Sequence, residues 1–570
     1  MSAKARWLLR LVLLIAPGCR DSAGGGASGA DDAGVQGPRD DAGTPGPAVE
    51  LRVEVHNPGT PISRYIYGAD DQVVLNTSYL KMPKAGLVRA ASGAWTTYNW
   101  ENNAKNHGVD WGPNESTSVD IDGPGSTDTP GAAVVSRVTS AHNIGAAAVV
   151  SVSLTDYVAA DKDGGVIQGP SATNPRWAKN NDTKPTALSM TPNLSDGTVY
   201  QDEFVNFIQQ TFRTALAQGK KIFYSLDNEP GIWNEIHPLL HPVKPTFAEM
   251  AERTRRFGSM IKRHAPDALV FGMVAFGVNE LMTLNDAPDQ AGRLYVDFYL
   301  DMIKGLETSA GKRIVDVIDV HWYSEVVADG IRISDLGTSG EVLTRMRPNP
   351  SAAEIEARVQ NPRSLWDPAY VENSWIVEGG YQDFDRKPIR LIPWLKEKIA
   401  ARYPETKLAI TEYNYGDGIH ISHAIAHADA LGIFGREGVF AAAFFPLAEP
   451  FLGSYIQGAF DMFLDYDGKG SAVGDVSVPV QNPDVARLSA YAMKSSNNPT
   501  RLHLVLLNKT GAEIATRFAL TDGGWKTATA FVLAQGNLVP RAAGPVDVGS
   551  GDALTATLPP LSVTTIEIKK

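Results

Sequence analysis

The sequence predicts an α/β fold in which a (β/α)8 TIM barrel is joined to a small antiparallel β-sandwich. Three observations lead to this fold class. From residue 51 onward, short β-branched runs alternate with longer amphipathic stretches, as in repeated βα units around a parallel sheet. Eight of these runs are candidate inner strands, the number that closes such a barrel. After about residue 480 the helical pattern stops, and short alternating runs follow between Gly, Asn, Asp and Pro turns.

The chain begins with the pattern of a secretory signal peptide over residues 1–19. Lys4 and Arg6 precede an apolar run that is too short to span a bilayer. The only cysteine, Cys19, follows small residues as in the lipobox of bacterial lipoproteins, so we predict acylation of its thiol and a lipid anchor. An ordinary secretory signal with an incidental cysteine is the alternative. Either pattern predicts an exported protein, secreted or held at the cell surface, whose membrane contact is that anchor.

Residues 20–49 form a segment rich in Gly, Ala, Asp and Pro with almost no large apolar side chain. Such a composition does not offset the entropy lost on ordering, so we predict a disordered linker. The catalytic barrel is predicted over residues 61–478, and the sandwich from both chain ends, residues 50–60 and 479–570. The run LRVEVHN at residues 51–57 alternates like the C-terminal runs, which assigns it to the sandwich.

The inner strands are predicted in short apolar and β-branched runs, and the helices between them carry apolar residues at three- and four-residue spacing. The predicted strands are Tyr65–Gly68, Leu87–Ala91, Ala146–Leu154, Lys221–Asp227, Ala268–Ala275, Val317–Tyr323, Lys407–Tyr413 and Gly438–Phe445. The predicted helices include Gln201–Gln218, Thr246–His264, Arg293–Leu306, Ile389–Arg402 and Ala424–Arg436.

The composition narrows the class of protein. The 52 Lys and Arg against 64 Asp and Glu give a net charge of −12, which argues against nucleic acid as a partner because such proteins normally carry a basic face. A hydrophobic content of 43% is typical of a folded core. With one cysteine, no intrachain disulfide can form, so stability must come from that core.

Two glutamates stand at predicted strand ends, where the chemistry of a TIM barrel collects. The fourth strand runs into DNEP, which carries Asn228 and Glu229, and the seventh ends in TEY, which carries Glu412. The two strands lie on opposite sides of the barrel, so both side chains are predicted to point into one pocket. Cleavage of a glycosidic bond needs such a pair, one carboxylic acid to protonate the leaving oxygen and one carboxylate to attack or to activate water. Either motif alone would also suit a loop salt bridge.

At these residues the chain resembles glycoside hydrolase family 44, whose members are retaining endo-β-1,4-glucanases and xyloglucanases with a TIM barrel and a small β-sandwich. The blocks that carry the resemblance run in order through the chain and include PISRYIYGAD (61–70), YNWENN (98–103), YSLDNEPGIWNEIHP (224–238), DVHWYSE (319–325), ITEYNYG (410–416) and DYDGKGSAVGD (465–475). The resemblance implies that Glu229 is the acid/base and Glu412 the nucleophile, acting without a cofactor on β-glucan or xyloglucan. We expect a monomer.

Further side chains are candidates for substrate binding. Asn228 is suited to donate to a sugar 2-hydroxyl, or alternatively to cap the turn at Pro230. On the sixth strand, Tyr323 is a candidate to hydrogen-bond Glu412, and His321 either joins the site or fills the core. Sugar rings have apolar faces that large flat side chains cover, and two or three of the tryptophans near the strand ends are expected to line the cleft while the others pack in the core. The aromatic candidates are Trp100, Trp111, Trp233, Trp366, Trp375 and Phe445.

Members of the family are thought to carry a structural calcium, and the resemblance implies one here. The candidate ligands are Glu101, Asp196 and Asp202, because calcium takes carboxylate and carbonyl oxygens from loops. Each of these residues is equally suited to a helix cap or a turn.

Two positions depart from the family pattern. The family usually has Arg-x-Gly-Gly-Asn-Arg at the end of the second strand, whereas this chain reads RAASGA from Arg89 to Ala94 and so lacks the Asn-Arg pair. Phe445 stands where the family usually has Trp, which gives a smaller stacking face and no indole donor. These changes leave a second hypothesis open, a carbohydrate-binding surface lipoprotein that kept the barrel and lost most of its catalysis.

Overall fold

The computed structural model describes residues 48–71, 73, 82, 84–106, 108, 116–117, 128–162, 168–171, 174–333, 349–416, 418–447, 455–549 and 553–570. The predicted signal peptide with Cys19 lies outside these residues, as do Trp111 and the predicted linker up to residue 47. Within the described ranges, no helix combines the length and the apolar composition that crossing a membrane requires.

Eight parallel strands close into a barrel, as predicted. They are β1 Gly68–Asp70, β2 Leu87–Ala90, β3 Ala147–Val152, β4 Ile222–Leu226, β5 Val270–Ala275, β6 Val317–Tyr323, β7 Lys407–Asn414 and β8 Ala441–Phe444. Each strand pairs with its neighbours in chain order, and β8 pairs with β1. The C-terminal ends of all eight strands therefore meet at one face, where residues that are distant in the chain come together.

The first strand departs most from its predicted position. A strand is predicted over Tyr65–Gly68, but Arg64–Ile66 form a 3-10 turn and β1 begins only at Gly68. The Ser63 hydroxyl accepts the Tyr65 N–H and so caps this turn. Because a local side-chain bond competes with the extended conformation, the strand starts three residues later than its β-branched pattern indicates.

Helices connect successive barrel strands on the outside of the barrel. The α-helices are Ala132–Asn143, Gln201–Thr211, Arg213–Ala217, Trp233–Ile236, Phe247–Arg253, Ser259–His264, Val278–Thr283, Tyr295–Ala310, Ala352–Gln360, Leu391–Arg402, Ile421–Glu437 and Tyr455–Leu464. The predicted helix Thr246–His264 consists of two α-helical segments joined by a π-helical turn at Thr254–Gly258. Further 3-10 or π turns are Gly93–Thr97, Pro230–Ile232, Asn361–Leu365 and Ile376–Gly380.

Both ends of the chain build an eleven-stranded sheet around a second apolar core, and this unit is the sandwich domain. Its strands are Val49–Val53, Thr60–Pro61, Val476–Val478, Val480–Gln481, Leu488–Lys494, Arg501–Asn508, Ile514–Leu520, Thr527–Ala534, Arg541–Gly549, Ala553–Leu558 and Ser562–Lys569. Val49–Val53 pairs in parallel with Ile514–Leu520. Val476–Val478 falls in the range predicted for the barrel but pairs with Leu488–Lys494, so the predicted boundary is a few residues too late.

Short sheets lie in the loops between these elements. They are formed by Tyr157–Ala159, Trp177–Asn181 and Thr198–Tyr200, by Lys105–Asn106 with Ser116–Thr117, and by Val327–Ala328 with Ile331–Arg332.

A buried polar contact joins the barrel to the sandwich domain. Asp429, on helix Ile421–Glu437, forms an ion pair with Lys509 at 2.7 Å, and both side chains are 1% exposed. The Tyr491 hydroxyl donates to the Asp429 carboxylate at 2.5 Å, and its ring covers Gly432 so closely that any larger side chain there would collide. Removing one partner of a buried ion pair leaves an unpaired charge and costs about 3–5 kcal/mol. The helix is therefore enclosed between the barrel and the sandwich domain.

We expect a fragment of residues 60–478 to be insoluble. It lacks Val49–Val53 and every strand after residue 478, so helix Ile421–Glu437 loses its cover and Asp429 loses its cation. A fragment of residues 48–570 is the control and should be soluble, since it keeps both ends of the sheet. The soluble fraction after expression, with circular dichroism, measures the outcome. A soluble and fully active 60–478 fragment would show that the barrel does not depend on the sandwich domain.

Candidate active site

Two buried carboxyl groups approach each other at the C-terminal face of the barrel. Glu229 follows β4 by three residues, and Glu412 lies near the end of β7 beside His321 of β6. The side chains of Glu229 and Glu412 are 8% and 7% exposed. An oxygen of one carboxyl lies within 4.8 Å of an oxygen of the other. The two groups are therefore close enough to act on the same bond.

The turn after β4 holds Glu229 in an unusual backbone conformation. Asp227 and Glu229 have φ angles of 64° and 44°, which residues other than glycine rarely adopt. The Asp227 carboxylate accepts the Leu154 N–H and the Thr96 hydroxyl, each at 2.6 Å. It also accepts the Asn228 N–H at 2.8 Å. These bonds tie the turn to the segments that follow β2 and β3 and stabilise its conformation.

Arg89, the third residue of β2, places a positive charge beside the carboxyls. Its side chain is 1% exposed. Nη1 donates to Glu412 Oε1 at 2.6 Å, and Nη2 donates to Asn228 Oδ1 at 2.6 Å. Nη2 also lies 3.2 Å from His321 Nε2. One side chain thus fixes groups from β4, β6 and β7 relative to one another.

The contact with Arg89 assigns the tautomer of His321. A guanidinium has donors only, so His321 Nε2 must accept. Burial lowers the pKa of His321 to about 4, so the ring is neutral near pH 7 and carries its proton on Nδ1. Nδ1 lies 2.6 Å from Glu229 Oε1 and 3.6 Å from Glu412 Oε2. His321 therefore donates to Glu229, and the alternative that it only fills the core does not hold.

Both oxygens of Glu412 accept hydrogen bonds. The Tyr323 hydroxyl donates to Oε2 at 2.6 Å, the contact expected from its place on β6, and Arg89 donates to Oε1. The carboxylate is therefore held in one orientation. Phe445, the half-buried residue after β8, donates its N–H to the Tyr413 carbonyl at 3.1 Å and so lies beside the residue that follows Glu412.

The two carboxyls differ in chemical character. Burial raises the pKa of Glu229 to about 7, against the opposing effects of Arg89 and of a hydrogen bond from Asn228. Oε1 of Glu229 receives the His321 N–H. Glu412 instead accepts from a guanidinium and a phenol. The arrangement is suited to a proton donor opposite a carboxylate.

Glu229, His321 and Glu412 also form a group whose ligand atoms are close enough together for a metal ion. Arg89 already contacts Glu412 and His321 with a fixed positive charge, and a second cation in the same space would be repelled. These residues therefore do not fit a bound metal. They suit acid–base and nucleophilic chemistry.

The structure places two predicted sugar-binding tryptophans in the core. Trp100 and Trp233 are 0% and 1% exposed, so neither has a face for a sugar ring. Trp100 packs instead against Phe204 and Phe207, and the Trp233 indole N–H donates to the Asn228 carbonyl. Their assignment to substrate binding is corrected accordingly.

Trp366 and Trp375 lie at different ends of the barrel. Arg436 lies in the last turn of helix Ile421–Glu437, which leads from the end of β7 to the start of β8. Its guanidinium lies 3.9 Å from the centre of the Trp366 ring. Trp366 is therefore on the face opposite the carboxyls, which corrects its predicted role. Trp375 is half-buried and donates its indole N–H at 2.9 Å to Glu325, two residues after β6, so it lies near the C-terminal face.

The three residues predicted as calcium ligands make different contacts. Burial raises the pKa of Glu101 to about 8, with further contributions from the charges of Asp196 and Glu203. Glu203 Oε2 is buried and has no hydrogen-bond partner within the described part of the chain. Asp202, in the first turn of helix Gln201–Thr211, instead accepts the backbone N–H groups of Lys184 and Glu203. Glu203 Oε1 pairs with Lys184 Nζ at 2.6 Å, and among the described residues these carboxyls do not form a group whose ligand atoms all lie within 4.8 Å of one another. Calcium at Glu101, Asp196 and Asp202 remains a prediction.

Arg89 is the functional residue that sequence reasoning missed. It enters the sequence analysis only as the first residue of a motif whose later Asn-Arg pair is absent. The arginine that contacts Glu412 is Arg89 itself, so this departure does not remove the positive charge beside that carboxylate. A charged residue inside LVRA, an otherwise apolar barrel strand, is the signal that indicates such a role.

Comparisons with known proteins relate this chain to a family. Residues 104–326 match the family model of glycoside hydrolase family 44. Endoglucanase A from Paenibacillus lautus is 35% identical over 536 residues, which span 91% of this chain and 72% of that protein. A family 44 xyloglucanase from Paenibacillus polymyxa, solved with xyloglucan, has a TM-score of 0.83 at 32% identity and covers 92% of this chain and 99% of its own. For a family 44 endoglucanase from Clostridium thermocellum the TM-score is 0.82 at 33% identity, with 91% and 99% covered.

We expect Arg89→Met to lower the free energy of unfolding at pH 8 by about 3–5 kcal/mol, because it leaves the buried Glu412 carboxylate without its cation. The midpoint of urea unfolding measures the loss. Arg402→Met is the matched control, since Arg402 pairs with Asp297 and Asp301 at the surface and should cost no more than about 1 kcal/mol. Equal losses in the two variants would contradict the role of Arg89.

Proposed function

Because the chain belongs to glycoside hydrolase family 44, we propose that it is a retaining, endo-acting hydrolase of β-1,4-linked plant polysaccharide, with Glu229 as acid/base and Glu412 as nucleophile. The observation that carries the proposal is the approach of the two carboxyls, with oxygens within 4.8 Å. Retaining glycosidases hold these groups about 5–5.5 Å apart, whereas inverting enzymes separate them by about 6.5–9.5 Å to admit a water. The short approach supports retention.

In the first step, Glu412 attacks the anomeric carbon while the protonated Glu229 donates to the leaving glycosidic oxygen. The raised pKa of Glu229, about 7, supports this role because the residue keeps its proton near neutral pH. Arg89 and Tyr323 hold both oxygens of Glu412, which supports attack from one fixed orientation. The products are a covalent glycosyl-enzyme and a new chain end.

In the second step, Glu229, now a carboxylate, takes a proton from water, and the resulting hydroxide equivalent displaces Glu412 from the sugar. His321 remains hydrogen-bonded to Glu229 through Nδ1 in both steps. Since its pKa is about 4, His321 does not compete for the transferred proton near pH 7. It orients the carboxyl group that exchanges protons.

The substrate class is proposed from the relatives and from the groups around the carboxyls. One relative is named an endoglucanase, and another was solved with xyloglucan. Arg89 holds Asn228 Oδ1 and one amide N–H of Asn228 is donated to Glu229, which leaves the second N–H as a donor for a sugar 2-hydroxyl. Trp375 provides a flat, partly exposed side chain near the strand ends. Cellulose-type glucan and xyloglucan are therefore the substrates that we propose.

We expect the protein to release reducing ends from xyloglucan or carboxymethylcellulose and to lower the viscosity of these polymers early in the reaction. Glucomannan and xylan in the same assay define the preference. Glu412→Gln removes the nucleophile at constant volume and should lower turnover by about 10⁴-fold or more while binding persists. Glu397→Gln, at an exposed glutamate, is the control. Binding without release on every polymer by the unmodified protein would favour a carbohydrate-binding protein instead.

Retention predicts that proton NMR detects the β-anomer as the first product. Glu229→Ala should cripple hydrolysis of polysaccharide but spare an aryl glycoside whose activated leaving group needs little protonation. Because the pKa of Glu229 is about 7, kcat/KM on polysaccharide should fall as the pH rises through that value, while the aryl glycoside should lack this alkaline limb. An α-anomer as first product contradicts the mechanism.

A further inference from the structure

Glu280 is a buried carboxyl group that the mechanism above does not use. It lies on the short helix Val278–Thr283 that follows β5, and it is 0% exposed. Its Oε1 has no hydrogen-bond partner among the residues that the structure describes. Burial raises the pKa of Glu280 well above its ordinary value, and the charge of Glu229 adds to that shift. Burial therefore favours the neutral form of the Glu280 carboxyl group.

The turn that carries Glu229 needs support from outside itself. Its φ of 44° is uncommon for a side-chain-bearing residue. The Glu229 N–H donates to the Val274 carbonyl at 3.1 Å. Met273 and Val274 themselves have φ angles of 72° and 47°, where the register between β5 and β6 shifts. The backbone of the acid/base thus rests on an irregular strand end.

Glu280 connects these two irregular segments. Its Oε2 accepts the N–H of Phe276, the residue directly after β5, at 3.0 Å. The N–H of Gly231, two residues after Glu229, donates to the same carboxyl. A Cβ at Gly231 would stand 2.8 Å from Oε2, so only glycine allows this approach. The Glu280 carboxyl group therefore joins the end of β5 to the turn after β4.

We propose that Glu280 is a positioning residue for general acid catalysis, which joins the end of β5 to the Glu229 turn and so holds the Glu229 carboxyl against the leaving oxygen. This inference rests on the proposed function, because it presupposes that Glu229 is the acid. Its chemical requirement is a side chain of this length that carries an acceptor oxygen. Glutamine meets that requirement and alanine does not.

The test compares Glu280→Ala and Glu280→Gln on two substrates, xyloglucan and 2,4-dinitrophenyl β-cellobioside. With Glu280→Ala, kcat/KM on xyloglucan should fall by about 30-fold or more, a part of the 10²–10⁴-fold that a positioned acid supplies. On the aryl glycoside it should fall by no more than about threefold, because that leaving group departs without protonation. Glu280→Gln should stay within about threefold of the unmodified protein on both substrates, since its amide oxygen still accepts both N–H groups.

Gly231→Ala disturbs the same contact, because the added methyl group displaces the Glu280 carboxyl. It should lower kcat/KM on xyloglucan and leave kcat/KM on the aryl glycoside unchanged. Glu567→Ala is the control for general destabilisation, since it removes a nearly buried carboxylate that pairs with Arg501 in the sandwich domain. It should leave the ratio of the two activities unchanged. Hydrogen exchange of residues 227–232 gives a readout independent of turnover, and it should be faster in Glu280→Ala than in Glu280→Gln.

Equal losses on both substrates, or a Glu280→Gln variant as impaired as Glu280→Ala, would overturn the role of Glu280 while leaving the proposed function intact. Unchanged exchange of residues 227–232 in Glu280→Ala would overturn it as well. An unmodified protein that cleaves neither substrate would refute the proposed function together with this role.

Discussion

The buried guanidinium of Arg89 is the interaction on which the geometry of the site depends. Burial alone would lower the pKa of Arg89, but the acidic side chains around it outweigh this effect, Glu412 most and then Asp319, Asp70 and Glu229. A charge inside a protein is tolerated only where its partners are fixed around it. These partners come from β1, β4, β6 and β7, so the closed barrel itself is what allows an arginine to remain charged in its interior.

Arg89 also makes different contacts with the two glutamates of the site, Glu412 and Glu229. Arg89 touches Glu412 directly at 2.6 Å but reaches Glu229 through His321. Arg89 still lowers the pKa of Glu229, but burial outweighs this effect and raises that pKa to about 7. Two residues of one type therefore stand in different surroundings, since Glu412 contacts the guanidinium and Glu229 contacts the imidazole. No metal or second titrating group is needed for this difference.

Much of the fold was predictable because parallel barrel strands are buried on both faces and leave continuous apolar runs in the sequence. The runs that became β2 to β8 lie at or near their predicted positions, and counting them placed Glu229 and Glu412 in one pocket. Features that depend on local or long-range contacts were not predictable. The Ser63 cap is a local contact, and because of it β1 starts later than predicted. The contact of Arg436 with Trp366 is long-range, and only the structure shows at which end of the barrel this indole lies. The role of Arg89 was not predictable because the sequence of one strand does not show which side chains of the other strands will contact it.

The pairing of Val49–Val53 has a consequence for the order of events during synthesis. This strand leaves the ribosome first among the described elements, yet its partners, Val480–Gln481 and Ile514–Leu520, follow more than 400 residues later. At about 5–20 residues per second, an unpaired β-strand waits tens of seconds for its neighbours. All eight barrel strands have been synthesised by then, so the earliest strand of the described chain meets its partners only after the whole barrel sequence has emerged. Proteins that bind nascent chains thus have a long interval in which to act on this N-terminal strand.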